Sequence, residues 1–168
     1  MAIEATMATR QTIAEAGLYL SFRLADEDYG ISILSVREII GLQPVTAVPQ
    51  APPAVLGVIN LRGKVIPVVC LRRLFGQPEA EATAQNCIIV LDIEHAGQRR
   101  LIGVVVDEVA EVASLDTSQI EPPPDLGGSA SLSCVRGVGL LGKRVMMLLD
   151  AGDLLADQLG AGPLAGID

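Results

Sequence analysis

One order of features occurs twice along this chain, and any fold must accommodate both copies. Leu18–Leu24 is an alternating apolar stretch, closed by the turn Ala25-Asp26-Glu27-Asp28 and followed by a strand at Tyr29–Ile33. Cys87–Ile93, the turn Glu94-His95-Ala96-Gly97 and Ile102–Val106 repeat that order. A shift of 73 residues places Gly30 on Gly103, Val36 on Val109, Glu38 on Glu111, Ile39 on Val112 and Pro49 on Pro122. Further on, Gly57-Val58 resembles Gly137-Val138, the Gly63-Lys64 turn resembles Gly142-Lys143, and Val65–Val69 resembles Arg144–Leu148. The matched order outweighs the chance identities of a Val-rich chain. It implies two pseudo-repeats of about 60–70 residues, each with about five short strands.

Short strands separated by turns at this spacing suggest small barrels. Closing a barrel hides unpaired strand edges, which keeps so aliphatic a sequence from aggregating. Half of the 168 residues are hydrophobic, yet the aromatics are only Tyr19, Phe22, Tyr29 and Phe75. The core is therefore Val, Ile, Leu and Ala, and β-branched residues pack well on a pleated surface. A globule of this size buries roughly 70% of its unfolded surface, so no covalent staples are needed.

Local signals refine the expectation. In Leu18–Leu24, Leu18, Leu20, Phe22 and Leu24 share one face and Tyr19, Ser21 and Arg23 the other, the pattern of a half-buried strand. A helical turn is expected near Leu34–Val36, and Ser35-Val36-Arg37-Glu38 has the form of a capping box. Gly41 and Pro44 leave no room for a full helix, so Arg37–Leu42 reads as a strand. Arg62-Gly63 joins two strands of a hairpin. Pro67 in its second arm donates no ladder hydrogen bond, which implies an edge or a bulge. Leu71–Phe75 reads as a helical turn stopped by Gly76, Gln77–Gln85 as a linker, and Asp150–Leu159 as a helix with Leu154, Leu155 and Leu159 on one face.

Charge and cysteine content exclude several functions. Lys and Arg number 12 against 20 Asp and Glu, a net charge of −8. Nucleic acid is repelled overall by such a chain, since its binding rests on neutralising phosphates. Cys70, Cys87 and Cys134 are too scattered for a disulfide framework or a metal site, which fits a reducing cytosol. Met1–Ala16 carries Glu4 and Glu15 and no apolar segment, so no secretory signal is expected. The chain has no run of about 20 apolar residues that could span a membrane. His95, the only histidine, has no neighbouring Cys and reads as an exposed turn residue. Asp107, Glu108 and Glu111 do not share a strand face, so they suggest solvated charge instead of an acid–base or metal cluster. No phosphate-cradling loop and no nucleophile elbow occurs. The two competing readings are a binding module and an enzyme or small-ligand protein on a barrel; the missing nucleophile, base and metal set favours the first.

Gly57-Val58-Ile59-Asn60-Leu61-Arg62-Gly63-Lys64-Val65-Ile66-Pro67-Val68-Val69 resembles the signature segment of the CheW family. Tyr29-Gly30-Ile31 with Val36-Arg37-Glu38-Ile39 resembles its first motif, and Gly103–Asp107 with Ile120 and Pro122 its second-half motif. The similarity runs from about Leu18 to about Leu155. It implies an all-β fold of two intertwined SH3-like five-stranded β-barrel subdomains and no enzyme activity. It also implies an adaptor that couples methyl-accepting chemoreceptors, at their cytoplasmic tips, to the regulatory domain of the histidine kinase CheA in bacterial chemotaxis. Such a protein is cytoplasmic, is recruited to membrane-associated receptor arrays, does not insert into the membrane, and can self-associate in array rings. The expected organisation is a flexible tail at 1–16 and a single domain at 17–160. Within it the first barrel lies mainly at 17–76, the second mainly at 86–149 and a short helix at 150–160, with a second tail at 161–168. A receiver domain, which a CheV-like protein carries, is not expected within these 168 residues. Cys70 departs from the family, which more often has Asp there, and Pro122–Ser133 also differs.

The resemblance selects receptor- and kinase-binding residues: Ile33, Val36, Glu38, Gly57, Arg62, Gly63 and Ile88. Glu38 and Arg62 are expected at the groove between the barrels or its rim, where they can pair with each other; alone, such a pair reads as a solvated surface contact. Among Ile33, Val36, Ile39, Val58, Ile88 and Val106, the resemblance ranks Ile33, Val36 and Ile88 as groove residues that receive an apolar helix face. The alternative for any one of them is ordinary core. Gly57 and Gly63 read first as backbone devices. No catalytic residue, cofactor or metal is expected.

Overall fold

The computed structural model describes residues 14–95, 97–123 and 134–159. Most of the expected 1–16 tail, the 161–168 tail, most of the Pro122–Ser133 loop and the side chains of His95 and Leu159 lie outside the described residues. The strands are β1 (Gly17–Leu24), β2 (Glu27–Ser32), β3 (Val36–Gly41), β4 (Val55–Leu61), β5 (Lys64–Cys70), β6 (Cys87–His95), β7 (Gln98–Val106), β8 (Glu108–Leu115), β9 (Ile120–Glu121), β10 (Val135–Leu141) and β11 (Arg144–Leu149). A helical turn at Leu71–Leu74 and a helix at Ala151–Leu159 complete the fold.

Two sheets form, and each takes strands from both repeats. Barrel one has the order β3-β6-β7-β5-β4, and barrel two the order β8-β1-β2-β11-β10-β9. The expected division at 17–76 and 86–149 therefore does not follow the sheets. The hairpin β1–β2 of the first repeat pairs with β8 and, in parallel, with β11 of the second. The hairpin β6–β7 of the second repeat pairs with β3 and, in parallel, with β5 of the first. Each repeat thus completes the other's barrel. Barrel two has six strands instead of five because β9, two residues long, forms a strand of its own.

The same device closes both barrels. Beyond β3 the chain bends back, and Thr46 exchanges two backbone hydrogen bonds with Val58 of β4, at 2.8 and 2.9 Å. Beyond β8 a 3-10 turn at Thr117–Gln119 leads into β9, which pairs with Val138 and Gly139 of β10. The expected capping box at Ser35–Glu38 is absent, because Val36 already begins β3; Ser32 instead caps the turn Ile33–Ser35. A complete capping box sits at Asp116 and Gln119, where the backbone needs it.

Three apolar cores result. Ile59, Ile66, Val68, Ile88 and Val90 fill barrel one. Tyr19, Ala113, Leu115, Met146 and Leu148 fill barrel two. The largest lies between the barrels and joins Leu20, Phe22, Leu24 and Ile31 to Ile89, Leu91, Ile93, Val104 and Leu149. Strand β1 separates barrel two from this shared core, so Tyr19, Leu20, Ser21 and Phe22 are all buried. The apolar face expected for β1 holds at Leu20, Phe22 and Leu24 but not at Leu18, which is 49% exposed, and the expected outer face is exposed only at Arg23. Leu154 and Leu155 of the last helix pack into the shared core. Each such buried aliphatic side chain contributes about 1.5–3 kcal/mol.

Pro67 meets the expected edge locally, next to the register shift of β4 between Val55 and Gly57. β5 is an interior strand, yet its ladder with β7 begins only at Val68. Counting from the Leu61–Lys64 closing pair, Val58–Pro67 is a non-hydrogen-bonded pair. The proline nitrogen therefore faces away from β4 at a point where β7 has not yet joined, and its missing N–H costs no ladder bond.

Candidate docking site

The expected site residues fall into two groups and one misfit. Glu38 stands on β3, and Arg62 is the first residue of the two-residue turn between β4 and β5. The closing of barrel one brings the two together, and Arg62 donates through Nη2 to Glu38 Oε2. Glu38 is 26% exposed and Arg62 68%, so the pair is open to a partner. Arg62 has φ +53 and Gly63 φ +86, and the Gly63 N–H donates to Asn60 Oδ1 at 2.8 Å. The side-chain oxygen of Asn60 thus holds the turn from which Arg62 projects. A non-glycine residue in the left-handed region costs roughly 1–2 kcal/mol.

Gly57 does not offer a contact to a partner; it permits closure. A Cβ there would lie 2.0 Å from the Thr46 carbonyl oxygen, and its φ is +149. Gly63 has open space around it and is needed for its backbone angle alone.

Ile33 and Val36 lie at the rim of the shared core, half-buried. Ile33 and its neighbour Leu34 border a cleft of about 560 Å³ whose other walls are Glu15–Tyr19, Arg136, Leu149 and Asp150. Tyr19 donates its hydroxyl to the Glu15 carbonyl at 2.6 Å and so fixes the wall opposite. Leu34 is 88% exposed and Leu18 49%, a large apolar surface at the mouth. Ile39 on β3 is 44% exposed but does not line this cleft. The apolar core fills most of the space between the barrels, so in place of one continuous groove the described residues leave this cleft and two smaller ones, of about 260 and 170 Å³.

Ile88 corrects the expectation. It alternates with Ile89 on β6, and the odd-numbered residues face the shared core. Ile88 faces the interior of barrel one at 0% exposure, packed with Val68 and Val90. Val106 is buried as well. The sequence reading missed Leu18 and Leu34. The duplication held a signal for Leu34: a shift of 73 places this leucine on Asp107, so one copy is apolar where the other is charged.

Asp107 anchors the corresponding region of the second repeat. Its carboxylate accepts two hydrogen bonds from Arg72, at 2.8 and 2.6 Å, and one from the Ala25 N–H at 2.9 Å. The Arg72 hydrogen bond above all, then the Ala25 amide, holds this carboxyl below the usual range. Asn86 donates to the Asp107 carbonyl at 3.0 Å. These contacts join both barrels and the linker, and they account for the charge without any acid–base chemistry. Glu111 faces Arg144 at 3.6 Å. Burial pushes the Cys134 thiol up to about 11, so this cysteine is a poor nucleophile. Among the described residues no group of three or more His, Cys, Asp or Glu side chains is placed to hold a metal ion.

Comparison with known proteins matches this geometry. Residues 18–159 fit the model of the CheW-like domain. The chain belongs to the CheW family. This CheW-like chain is 39% identical over 140 residues to the chemotaxis protein CheW of Klebsiella aerogenes, covering 83% of this chain and 82% of that one. It is 34% identical to the probable chemotaxis protein CheW of Rhizobium etli, covering 82% and 86%. Protein FrzA of Myxococcus xanthus is 30% identical, covering 71% and 72%. The crystal structure of the scaffolding protein TtCheW of Thermoanaerobacter tengcongensis superposes with a TM-score of 0.69 at 33% identity, covering 80% of this chain and 88% of that one. The fold is the all-β arrangement of two intertwined SH3-like barrels, and the role of this CheW-family chain is that of a chemotaxis scaffold, not an enzyme. Among the described residues no helix is long and apolar enough to cross a membrane.

Proposed function

We propose that this chain couples methyl-accepting chemoreceptors to the regulatory domain of CheA and is recruited to receptor arrays by those contacts. The observation that carries the reading is the apolar surface at the mouth of the cleft beside Ile33, with Leu34 at 88% exposure and Leu18 at 49%. An exposed leucine at the mouth of a cleft suits the apolar face of a receptor helix. The Glu38–Arg62 pair gives a neighbouring charged rim on barrel one. Exposed pairs of this kind contribute little stability, about 0–1 kcal/mol, so the guanidinium is better explained by binding than by folding, while the positive φ of Arg62 is what its two-residue hairpin turn requires. Weak contacts at both places gain strength when many copies assemble.

Co-elution with a receptor cytoplasmic fragment and with the CheA regulatory domain tests this. Leu34→Glu should abolish receptor co-elution while the thermal unfolding midpoint stays within a few degrees. Arg62→Gly keeps the left-handed turn and removes the guanidinium, so it should fold as well as the parent and lose binding to one of the two partners. Unchanged co-elution of both variants with both partners would overturn the assignment of these residues. Robust turnover of a small substrate without binding to either partner would overturn the adaptor reading itself.

A further inference from the structure

The seam between the two repeats has a second natural occupant. Four ladders join the repeats: β1 to β8, β2 to β11, β3 to β6 and β5 to β7. The ladders within a repeat are the local ones, such as β1–β2, β4–β5, β6–β7 and β10–β11. One repeat alone therefore leaves a hairpin without its barrel and a barrel without its hairpin. The covalent path between the repeats is the segment from Gln77 to Asn86, anchored at its two ends. Gln77 N–H donates to the Arg72 carbonyl, Arg72 donates to the Pro78 carbonyl and Arg73 to Glu79. Asn86 binds Thr83 and the Asp107 carbonyl. Residues 80–82, Ala-Glu-Ala, lie exposed between these anchors.

We propose that the partner this seam accepts is a second copy of the same chain, exchanging repeat for repeat. In that dimer residues 17–76 of one copy complete residues 87–159 of the other, with residues 80–82 opening as the hinge. All four inter-repeat ladders and the shared core are kept, so the exchange changes only the linker and the entropy of association. The closed monomer dominates at micromolar concentration, because a short linker supplies an effective concentration of about 1 mM. The exchanged dimer gains wherever chains fold at comparable local density. It carries two copies of the cleft and of the Glu38–Arg62 rim, which doubles the valency of a scaffold.

The test uses two full-length variants, Leu18→Cys and Ser114→Cys. These exposed positions face each other across the β1–β8 ladder, at the Cα separation of an antiparallel pair, which a disulfide spans. The two variants are unfolded, mixed, refolded together across a concentration series and treated with a mild thiol oxidant. A disulfide between the copies is expected after co-refolding and not when the two are mixed after folding. A tenfold rise in chain concentration should raise the dimer-to-monomer ratio about tenfold. Independently, about 20 Gly/Ser residues inserted after Glu81 of the otherwise unaltered chain should raise that ratio about fivefold, since effective concentration falls as the −3/2 power of linker length. Cross-linking no greater than in the post-folding mixture, or a dimer fraction indifferent to the linker, would overturn the proposal.

Discussion

The two crossovers from hairpin to barrel occupy the same place in the duplicated fold and are built for opposite purposes. Gly30 faces Leu148 and Gly103 faces Val68; Ser21 faces Glu111 and Val90 faces Glu38. By this correspondence Leu34 stands where Asp107 does. Asp107 is fastened by Arg72, the Ala25 amide and Asn86, and the cleft beside it, about 260 Å³, is lined by charged and polar groups. Leu34 is instead exposed beside an open cleft of about 560 Å³. One copy spends its crossover on holding the barrels and the linker together. The other is thereby free to present apolar surface. The hairpin tips diverge in the same way: Arg62 leans on Glu38 in barrel one, whereas Gly142 takes that turn position in barrel two and Arg144, two residues on, meets Glu111.

The closing glycines give the largest expected contrast. A Cβ at Gly57 would strike the Thr46 carbonyl at 2.0 Å, while one at Gly137 would sit 3.2 Å from the Glu121 carbonyl. Gly57→Ala should destabilise by about 3 kcal/mol or more, through clash and backbone strain together. Gly137→Ala should cost about 1 kcal/mol, a shift of a few tenths of an ångström sufficing. Urea unfolding of both variants compares them, and equal losses would show that the two closures are not built differently.

The crossovers themselves come next. Asp107→Ala should cost about 1–3 kcal/mol, because it strips a charged hydrogen-bond partner from Arg72 and Ala25. Leu34→Asp, which copies the second repeat's residue into the first, should change stability by less than about 0.5 kcal/mol and still lose receptor binding. Acid sharpens the contrast. The Asp107 carboxyl is held below its ordinary value, so its contribution is complete above the unfolded value of about 3.9 and disappears as pH falls through the lowered folded value. Unfolding midpoints measured downward from pH 5 should therefore fall more steeply for the parent than for Asp107→Asn.

Much of this molecule was legible because strands and turns leave local patterns. The shift of 73 residues correctly matched Gly30 with Gly103 and Glu38 with Glu111, and the paired contact of Glu38 with Arg62 was anticipated. The matching of Gly63-Lys64 with Gly142-Lys143 slipped by one residue, since the strand registers place Gly142 opposite Arg62 instead. Exchange of hairpins between repeats has no local signature: the residues of β1 look the same whichever barrel they enter. For the same reason Ile88 and Ile89, adjacent and equally apolar, could not be assigned to the barrel interior and the shared core until the partner strands were known. The burial of Ser21 on the inner face of β1 was hidden because a second apolar layer covers what reads as the polar side of an alternating strand.

Ser21 marks a smaller inequality between the barrels. Its counterpart is Val90, an ordinary core residue, whereas the Ser21 hydroxyl is fully buried and has no hydrogen-bond partner among the described residues. Ser21→Ala removes the unsatisfied group without adding volume and should stabilise by about 1 kcal/mol. An unchanged or lower thermal midpoint would show that the hydroxyl is satisfied in solution.

The smallest effect concerns the starts of the two helical segments. Asp150 precedes the last helix and accepts a hydrogen bond from the Asp153 N–H at 2.9 Å, three residues on. Cys70 stands at the same place before the turn Leu71–Leu74 and makes no side-chain cap. Its backbone is already extended, φ −91 and ψ 112, as a capping residue requires. Cys70→Asp would let a carboxylate accept from the Arg73 N–H in the same way, with Arg72 and Arg73 nearby to balance the charge. Asp107 and Asp26 line the same cleft and oppose it. The gain expected is about 0.5 kcal/mol, at the low end for a cap on so short a helical segment. A rise in the urea midpoint that vanishes in Cys70→Asn would assign it to charge, a rise shared by both variants would assign it to the hydrogen bond, and a fall in Cys70→Asp would show that the acidic cleft outweighs the cap.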